Sequence, residues 1–67
     1  MNLAAFTRTR AGLFKVYDYG DDWQIVGPSF ERWASAWTHD RRSSLLRACS
    51  LIPDANPNEI TITEATK

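Results

Sequence analysis

The chain has 67 residues, and its eight Lys and Arg residues balance eight Asp and Glu residues. This neutrality encodes no general attraction to nucleic acid or to anionic lipid, so any such binding has to come from a local patch. The length predicts one compact domain spanning residues 1–67, with a core that depends on a few large side chains. No apolar run approaches the ~20 residues that span a bilayer, and we expect a soluble, cytoplasmic protein.

The sequence contains one cysteine, Cys49, and one histidine, His39. A single chain can therefore form neither a disulfide nor a zinc site made of Cys and His alone. We expect Cys49 to be a small core residue in a reducing compartment, and we predict no metal and no cofactor.

Three antiparallel strands are predicted before residue 27, at residues 3–10, 13–19 and 23–26. The second segment is rich in aromatic and β-branched residues, which favour strands. Gly20-Asp21 is a two-residue hairpin signal, because glycine adopts a positive φ at the first turn position without steric cost. Ala11-Gly12 is a weaker turn signal between the first two strands.

The hairpin loops predict which side chains share a face of this sheet. If Gly20-Asp21 is the loop, Asp18 pairs with Trp23, and an apolar face forms from Phe14, Val16, Trp23 and Ile25. Extending the register through Ala11-Gly12 adds to that face Leu3, Ala5, Thr7 and Thr9. The opposite, outer face then carries mostly aromatic and basic side chains: Phe6, Arg8, Arg10, Lys15, Tyr17, Tyr19 and Gln24. A slip of one residue in either hairpin would exchange the faces of that strand.

A helical segment is predicted at residues 30–52, because apolar residues recur there three or four positions apart. Ser29 is a candidate N-cap, and Pro53 ends the segment. The polar run at residues 38–44 predicts either a kink or a break into two short helices. A final strand is expected at residues 59–64, where isoleucine alternates with threonine.

The predicted fold class is α+β, a small antiparallel sheet in the chain order β-β-β-α-β, with one kinked helix or two short helices packed on one face. Phe30, Trp33 and Trp37 fall on the apolar side of the helical segment. Such rings are typical of binding hot spots. A chain this short needs them for its own core, however, and we interpret them as core residues.

The sequence does not indicate a catalytic site. His39 and Asp40 are neighbours, and adjacent helical residues do not face each other. In one straight helix, His39 and Cys49 would lie about 15 Å apart along the axis, beyond hydrogen-bond reach. The chain also lacks a glycine-rich phosphate loop and a nucleophile elbow. We therefore predict a protein that is not an enzyme.

Two surface patches are candidates for binding. The outer sheet face combines rings with cations, as nucleic-acid platforms do, whereas Asp18, Asp21 and Asp22 at the hairpin tip would repel phosphate. Arg41 and Arg42 form a second basic cluster, which, set against the acidic tip, would give the molecule a charge dipole that steers it onto a partner. The candidate partner-binding residues are Phe6, Arg8, Arg10, Lys15, Tyr17, Tyr19, Asp21, Asp22, Arg41 and Arg42.

We expect the chain to be an inhibitor or adaptor that occludes a surface of a larger protein or nucleoprotein complex. Small accessory proteins of phages and mobile elements that block host defence complexes have this size, which makes that class one hypothesis. The alternative is a small DNA- or RNA-binding module that uses Arg8, Arg10, Lys15 and Tyr17 on the outer face. No membrane partner is expected, and the chain is either a monomer or a homodimer.

Overall fold

The computed structural model describes residues 2–36 and 40–63. These residues form an antiparallel sheet with a helix packed on one face. Along the chain, the elements are β1 (Asn2–Thr9), β2 (Gly12–Asp18), β3 (Asp22–Val26), β4 (Arg32–Ala36), α1 (Arg41–Ser50), a 3-10 turn (Pro57–Glu59) and β5 (Thr61–Ile62). Across the five-stranded sheet, the order is β4-β3-β2-β1-β5. The predicted α+β class is confirmed.

The hairpin between β2 and β3 has the predicted register. Asp18 lies opposite Trp23. The Tyr19 N–H donates to the Asp22 carbonyl over 3.1 Å, which closes a two-residue loop. Gly20, with a φ of +94°, occupies the first turn position, where a side chain would be strained.

The hairpin between β1 and β2 is shifted by two residues from the predicted register, because its turn consists of residues 10 and 11. A shift of two residues leaves the inward side chains inward. A bulge between Leu3 and Ala5 then interrupts the alternation, and the extra residue, Ala4, is buried. Leu3 lies opposite Tyr17 on the outer face, so the prediction that it points inward is wrong.

The largest difference from the predicted fold is at residues 32–36, which form strand β4 instead of the first half of a helix. In this strand, Trp33 lies opposite Ile25 and Ser35 lies opposite Trp23. Both side chains therefore share the apolar face of the sheet, and the residues between them share the other face. The apolar residues of this segment fit the two-residue alternation of a strand as well as the spacing of three or four residues in a helix. Pairing with β3 favours the strand.

A three-residue turn brings β4 beside β3. The Phe30 N–H donates to the Gly27 carbonyl over 3.0 Å, and the Gly27 N–H donates to the Glu31 carbonyl over 2.8 Å. Phe30 has a φ of +65°, the left-handed conformation that follows a type I turn in three-residue hairpin loops. Pro28 suits the first turn position because its φ is already restricted. Ser29 lies within this turn, so the prediction that it caps a helix is wrong.

Helix α1 spans Arg41–Ser50 and begins at a different cap. The N-cap is Asp40, whose carboxylate accepts hydrogen bonds from the Arg42 N–H over 3.1 Å and from the Ser43 hydroxyl over 2.7 Å. The apolar stripe predicted for the second half of the helical segment is confirmed as buried: Leu45, Ala48, Cys49 and Ile52.

The core lies between α1 and the inner face of the sheet. It joins the stripe of α1 to the buried sheet residues Ala4, Ala5, Phe14, Val16, Trp23 and Ile25. Trp33 stacks on Phe14 with ring centroids 6.2 Å apart, but it stays 37% exposed at the border of the core. Phe30 is 87% exposed, so its interpretation as a core residue is wrong. Trp37 lies outside the described residues.

The chain returns to the sheet through the 3-10 turn and β5. Ile62 of β5 lies opposite Ala5 of β1. Ile60 and Ile62 both pack against the core, as their alternation with threonine predicts. The strand is shorter than the predicted range 59–64, because Pro57–Glu59 forms the 3-10 turn. Residue 64 lies outside the described residues.

Candidate functional site

Helix α1 covers one side of the sheet, and no described element covers the other, which we call the outer face. The strand register identifies its side chains, because residues directly opposite each other share a face. The outer face consists of Leu3, Phe6, Arg8, Leu13, Lys15, Tyr17, Asp22, Gln24, Val26, Arg32, Ala34, Ala36 and Thr61.

Most of the predicted binding residues lie on or beside this face. Those within its strands are Phe6, Arg8, Lys15, Tyr17 and Asp22. Tyr19 follows β2, and its hydroxyl accepts a hydrogen bond from Arg32 Nη1 over 3.5 Å. Arg10 is exposed in the β1–β2 turn, and Asp21 is exposed in the β2–β3 turn at the opposite end of the sheet. The face is thus continuous between the strands, with Arg10 and Asp21 at its two ends.

A depression of about 420 Å³ lies on the outer face at the end formed by the β3–β4 turn. Val26 lies between Lys15 and Arg32 in a row that crosses three strands. The residues that line the depression are Leu13, Lys15, Tyr17, Val26, Gly27, Pro28, Phe30 and Arg32. An apolar surface flanked by two cations fits an apolar group that carries a carboxylate beside it.

Two neutral acceptors hold Arg32 over the outer face. Its Nη1 donates to Tyr19 Oη over 3.5 Å and to Gln24 Oε1 over 3.4 Å. Both distances are at the long end for hydrogen bonds, so these contacts are weak. Neither acceptor is charged, so a ligand carboxylate would be a stronger acceptor for the guanidinium than either of them.

Charges are distributed unevenly along the length of the sheet. The end with the β1–β2 and β3–β4 turns carries the cations Arg8, Arg10, Lys15 and Arg32, together with the carboxylate of Glu31, which accepts a hydrogen bond from the Ser29 N–H over 3.0 Å. The end with the β2–β3 turn carries the carboxylates Asp18, Asp21 and Asp22. One of these carboxylates, Asp22, lies on the outer face and accepts a hydrogen bond from Gln24 Nε2 over 3.3 Å. The basic end is therefore the end that contains the depression.

The helix residue Arg41 lies at the acidic end of the sheet. Its Nη2 forms an ion pair with Asp18 Oδ2, and its guanidinium lies 5.1 Å from the centroid of the Trp23 ring. Through these two contacts, the start of α1 packs against β2 and β3. Arg42 is exposed on α1, across the sheet from the outer face. The predicted dipole between the Arg41-Arg42 cluster and the acidic tip is wrong, because the two groups are adjacent.

Two titratable groups among the described residues, Cys49 and Asp40, have shifted pKa values. The described residues contain no cluster of three or more His, Cys, Asp or Glu side chains placed to hold a metal ion. Cys49 is free and buried, and burial raises the pKa of its thiol, which disfavours the reactive thiolate. Hydrogen bonds from Ser43 lower the pKa of Asp40, whose carboxylate caps α1. His39 lies outside the described residues.

A second cavity, of about 440 Å³, lies between α1 and β5. Its lining consists of Leu46, Cys49, Ser50, Ile52, Ala55, Pro57, Ile60 and Ile62. Ser50 is the one hydroxyl residue in this set, and the set contains no charged side chain. The cavity therefore offers apolar contact without groups that would select one ligand over another.

Sequence reasoning missed several residues of the outer face. The sequence predicts Leu3 on the inner face and Arg32 in a helix, and it also predicts in that helix Phe30, which lies beside the outer face at the depression. The available signals were the Gly27-Pro28 turn and the alternation of residues 32–36. Together they indicate a hairpin as well as they indicate the start of a helix.

No helix within residues 2–36 and 40–63 is long and apolar enough to cross a membrane. No protein-family model, curated protein or solved structure matches the chain. The geometry and chemistry of the outer face are therefore the basis for a functional assignment.

Proposed function

We propose that the chain is a non-enzymatic binding protein whose outer face takes an acidic segment with an apolar anchor on a larger protein. The observation that carries this proposal is the depression of about 420 Å³ on that face. There Val26 lies between Lys15 and Arg32, so an apolar side chain and its flanking carboxylates each meet a complementary group. By covering that segment, the chain acts as an inhibitor or adaptor on a larger protein or nucleoprotein complex.

The composition of the outer face favours a protein partner over a nucleic acid. Nucleic-acid platforms stack bases on exposed rings, whereas Phe6 and Tyr17 within the outer face are each half-buried, and the exposed rings Tyr19 and Phe30 lie beyond its strands. The aliphatic residues Leu13 and Val26 lie diagonally across β2 and β3 at one end of the same face, and Leu3 lies opposite Tyr17 at its other end. Aliphatic side chains gain from contact with the apolar groups of a protein, but they supply no ring on which a base can stack.

Charge and apolar contact have separate roles in this proposal. Arg8, Lys15 and Arg32 are the cations within the described outer face, and its one described carboxylate, Asp22, lies at the far end. Complementary charge mainly accelerates and orients association. Apolar anchors in pockets supply most of the affinity in such interfaces. We therefore expect salt to slow association without abolishing the complex.

We also propose a cellular role. Accessory proteins of phages and mobile elements block host defence complexes by covering a surface, and we propose that the chain belongs to that class. Cys49 is a free thiol, which suits the reducing cytoplasm. The cytoplasm is therefore where we propose that the protein acts.

A displayed library of random peptides tests the proposal without a known partner. The immobilised chain should enrich sequences in which Asp or Glu lies next to a large apolar residue. Lys15→Glu should abolish binding of the enriched peptides, because it reverses a charge beside the depression. Arg42→Glu is the matched control, since it makes the same change of charge on the exposed surface of α1. This control should bind like the wild type.

Two outcomes would contradict the proposal, provided that circular dichroism shows both variants to be folded. One is enrichment of peptides without acidic residues, and the other is an equal loss of binding in Lys15→Glu and Arg42→Glu. Binding of oligothymidylate that weakens steeply with salt and is lost in Lys15→Glu would instead favour the nucleic-acid alternative.

A further inference from the structure

Strand β4 forms an open edge of the sheet. It pairs with β3 on one side, and no described strand lies on its other side. The backbone of such an edge offers hydrogen-bond groups that another extended chain can use. We propose that β4 pairs in antiparallel orientation with β4 of a second copy of this chain, which joins the two sheets into one.

The hydrogen bond from the Gly27 N–H to the Glu31 carbonyl indicates which backbone groups of β4 face outward. Hydrogen-bonded and non-hydrogen-bonded pairs alternate along an antiparallel ladder. Continuing from that bond, Trp33 and Ser35 direct their N–H and C=O groups toward β3. The groups that face the open edge belong to Arg32, Ala34 and Ala36.

The sequence of β4 complements itself when two copies pair about Ala34. In that register, Ala34 lies opposite the second copy's Ala34, Trp33 opposite its Ser35, and Arg32 opposite its Ala36. Each large side chain meets a small one, and no like charges face each other. The residues with outward backbone groups lie opposite one another, so the same register also satisfies the hydrogen bonds.

β4, as described, has few of the features that protect edge strands from pairing. Proteins commonly protect an edge with a proline, a lysine, a bulge or a very short strand. β4 has five residues in a regular register, and its charged side chain, Arg32, points over the outer face toward Tyr19 and Gln24. Trp33, 37% exposed beside the edge, would gain cover from the second copy. The opposite edge strand, β5, has only two residues.

The proposed dimer has a consequence for the outer face. A two-fold axis that relates antiparallel edge strands runs perpendicular to the sheet, so the outer faces of both copies lie on the same side. The two depressions would then be presented together. The dimer would give the proposed function two binding sites. The proposal of a dimer does not depend on that function.

Sedimentation equilibrium of the full chain tests the dimer. We expect a monomer–dimer equilibrium for the wild type and monomer alone for Ala34→Pro, because proline lacks the outward N–H at the two-fold axis. A second pair of variants decides the question if proline prevents folding. Ala34→Glu places like charges opposite each other and should raise the dimer dissociation constant roughly fivefold or more. The neutral Ala34→Gln is its matched control and should stay near the wild type.

Hydrogen exchange measured by NMR tests the register. The amides of Trp33 and Ser35 should be protected at every protein concentration, and those of Arg32, Ala34 and Ala36 only where the dimer is populated. A chain that stays monomeric at high concentration, with these last amides unprotected, would overturn the proposal. So would a dimer that tolerates Ala34→Glu. The amides of Arg32, Ala34 and Ala36 could instead become protected in a monomer when a selected peptide is added. That result would mean that the edge pairs with an extended segment of a partner, and it would also overturn the proposed dimer.

Discussion

The indole N–H of Trp23 donates to Ser44 Oγ over 3.0 Å, and both residues are fully buried. The Ser44 hydroxyl in turn donates to the Arg41 carbonyl over 3.0 Å. A polar contact in the core thus joins β3 to the first turn of α1. The Arg41 guanidinium lies 5.1 Å from the centroid of the same indole, so Trp23 contacts the start of the helix through both its ring and its N–H.

Replacement of Ser44 by alanine tests this polar contact. Ser44→Ala removes an acceptor from a buried N–H, which costs about 1–3 kcal/mol of the free energy of unfolding. Ser50→Ala, which removes an exposed hydroxyl from the same helix, should change stability by no more than about 0.5 kcal/mol. Urea denaturation followed by tryptophan fluorescence measures both. Equal stability of the two variants would show that the Trp23 contact contributes nothing.

The two faces of the sheet should respond differently to truncation. Ile25 is fully buried in the core, so Ile25→Ala should cost about 2–5 kcal/mol of stability. Tyr17 lies on the outer face, half-buried, so Tyr17→Ala should cost clearly less while it weakens peptide binding. Thermal and urea denaturation of both variants measure the difference. A larger loss in Tyr17→Ala would show that the faces are assigned the wrong way round.

The β2–β3 hairpin shows how much of the fold local sequence can predict. Gly20-Asp21 is a strong turn signal, and its two-residue loop places Asp18 opposite Trp23. Because side chains alternate along a strand, that register also places Ile25 inward and Tyr17 outward. This single loop therefore predicts the inner face of β2 and β3. It also predicts the residues of β2 that lie on the outer face.

Residues 30–36 show where local sequence is insufficient. Their apolar spacing fits a helix, but Trp33 and Ser35 also alternate with outward residues. The turn that ends at Phe30 and the pairing with β3 decide the outcome, and the spacing of residues 30–36 by itself shows neither. Arg32 lies at the depression only because residues 32–36 form a strand beside β3. The bulge that turns Leu3 outward likewise has no signal in its own residues.

The cap of α1 predicts a pH dependence of stability. Hydrogen bonds from Ser43 and from the Arg42 N–H lower the pKa of Asp40 in the folded chain below the usual value of an aspartate. A lowered folded pKa means that this carboxylate adds stability above its unfolded pKa and that the contribution is lost as the pH falls through the folded pKa. Asp40→Ala should therefore melt below the wild type at neutral pH.

Melting curves at several pH values test the contribution of this cap. The difference in melting temperature between Asp40→Ala and the wild type should shrink as the pH is lowered below about 4. Ser43→Ala removes the hydroxyl that donates to Asp40 Oδ2 over 2.7 Å, and it should raise the pKa of Asp40 in an NMR titration. A difference in melting temperature that is independent of pH would mean that the charge of Asp40 plays no part in the cap.

Burial should protect the thiol of Cys49 from modification. Cys49 is 1% exposed, and burial raises the pKa of its thiol. We therefore expect thiol reagents to label it only when the fold opens, at a rate that rises as urea destabilises the chain. Ile25→Ala should accelerate labelling, whereas Tyr17→Ala should change it little. Fast labelling of the stable wild type would contradict the burial of this residue.

Phe30 combines backbone strain with exposure at the border of the depression. Its φ is +65° and its side chain is 87% exposed. A non-glycine residue in this conformation costs about 1–2 kcal/mol, and glycine loses about 0.5–1 kcal/mol more conformational entropy on folding. Phe30→Gly should therefore stabilise the chain by up to about 1.5 kcal/mol. Because the ring lines the depression, the same substitution should weaken binding of the selected peptides.

Asp54→Gly provides the matched control for Phe30→Gly. Asp54 has a φ of +58° and lies beyond α1, away from the outer face, so glycine there should relieve strain without changing peptide binding. Urea denaturation and peptide titration of both variants separate the two effects. Stabilisation with unchanged binding in Phe30→Gly would mean that the ring has no part in recognition. Stabilisation with weaker binding in Phe30→Gly alone would mean that strain at the turn is tolerated because the ring contacts the partner.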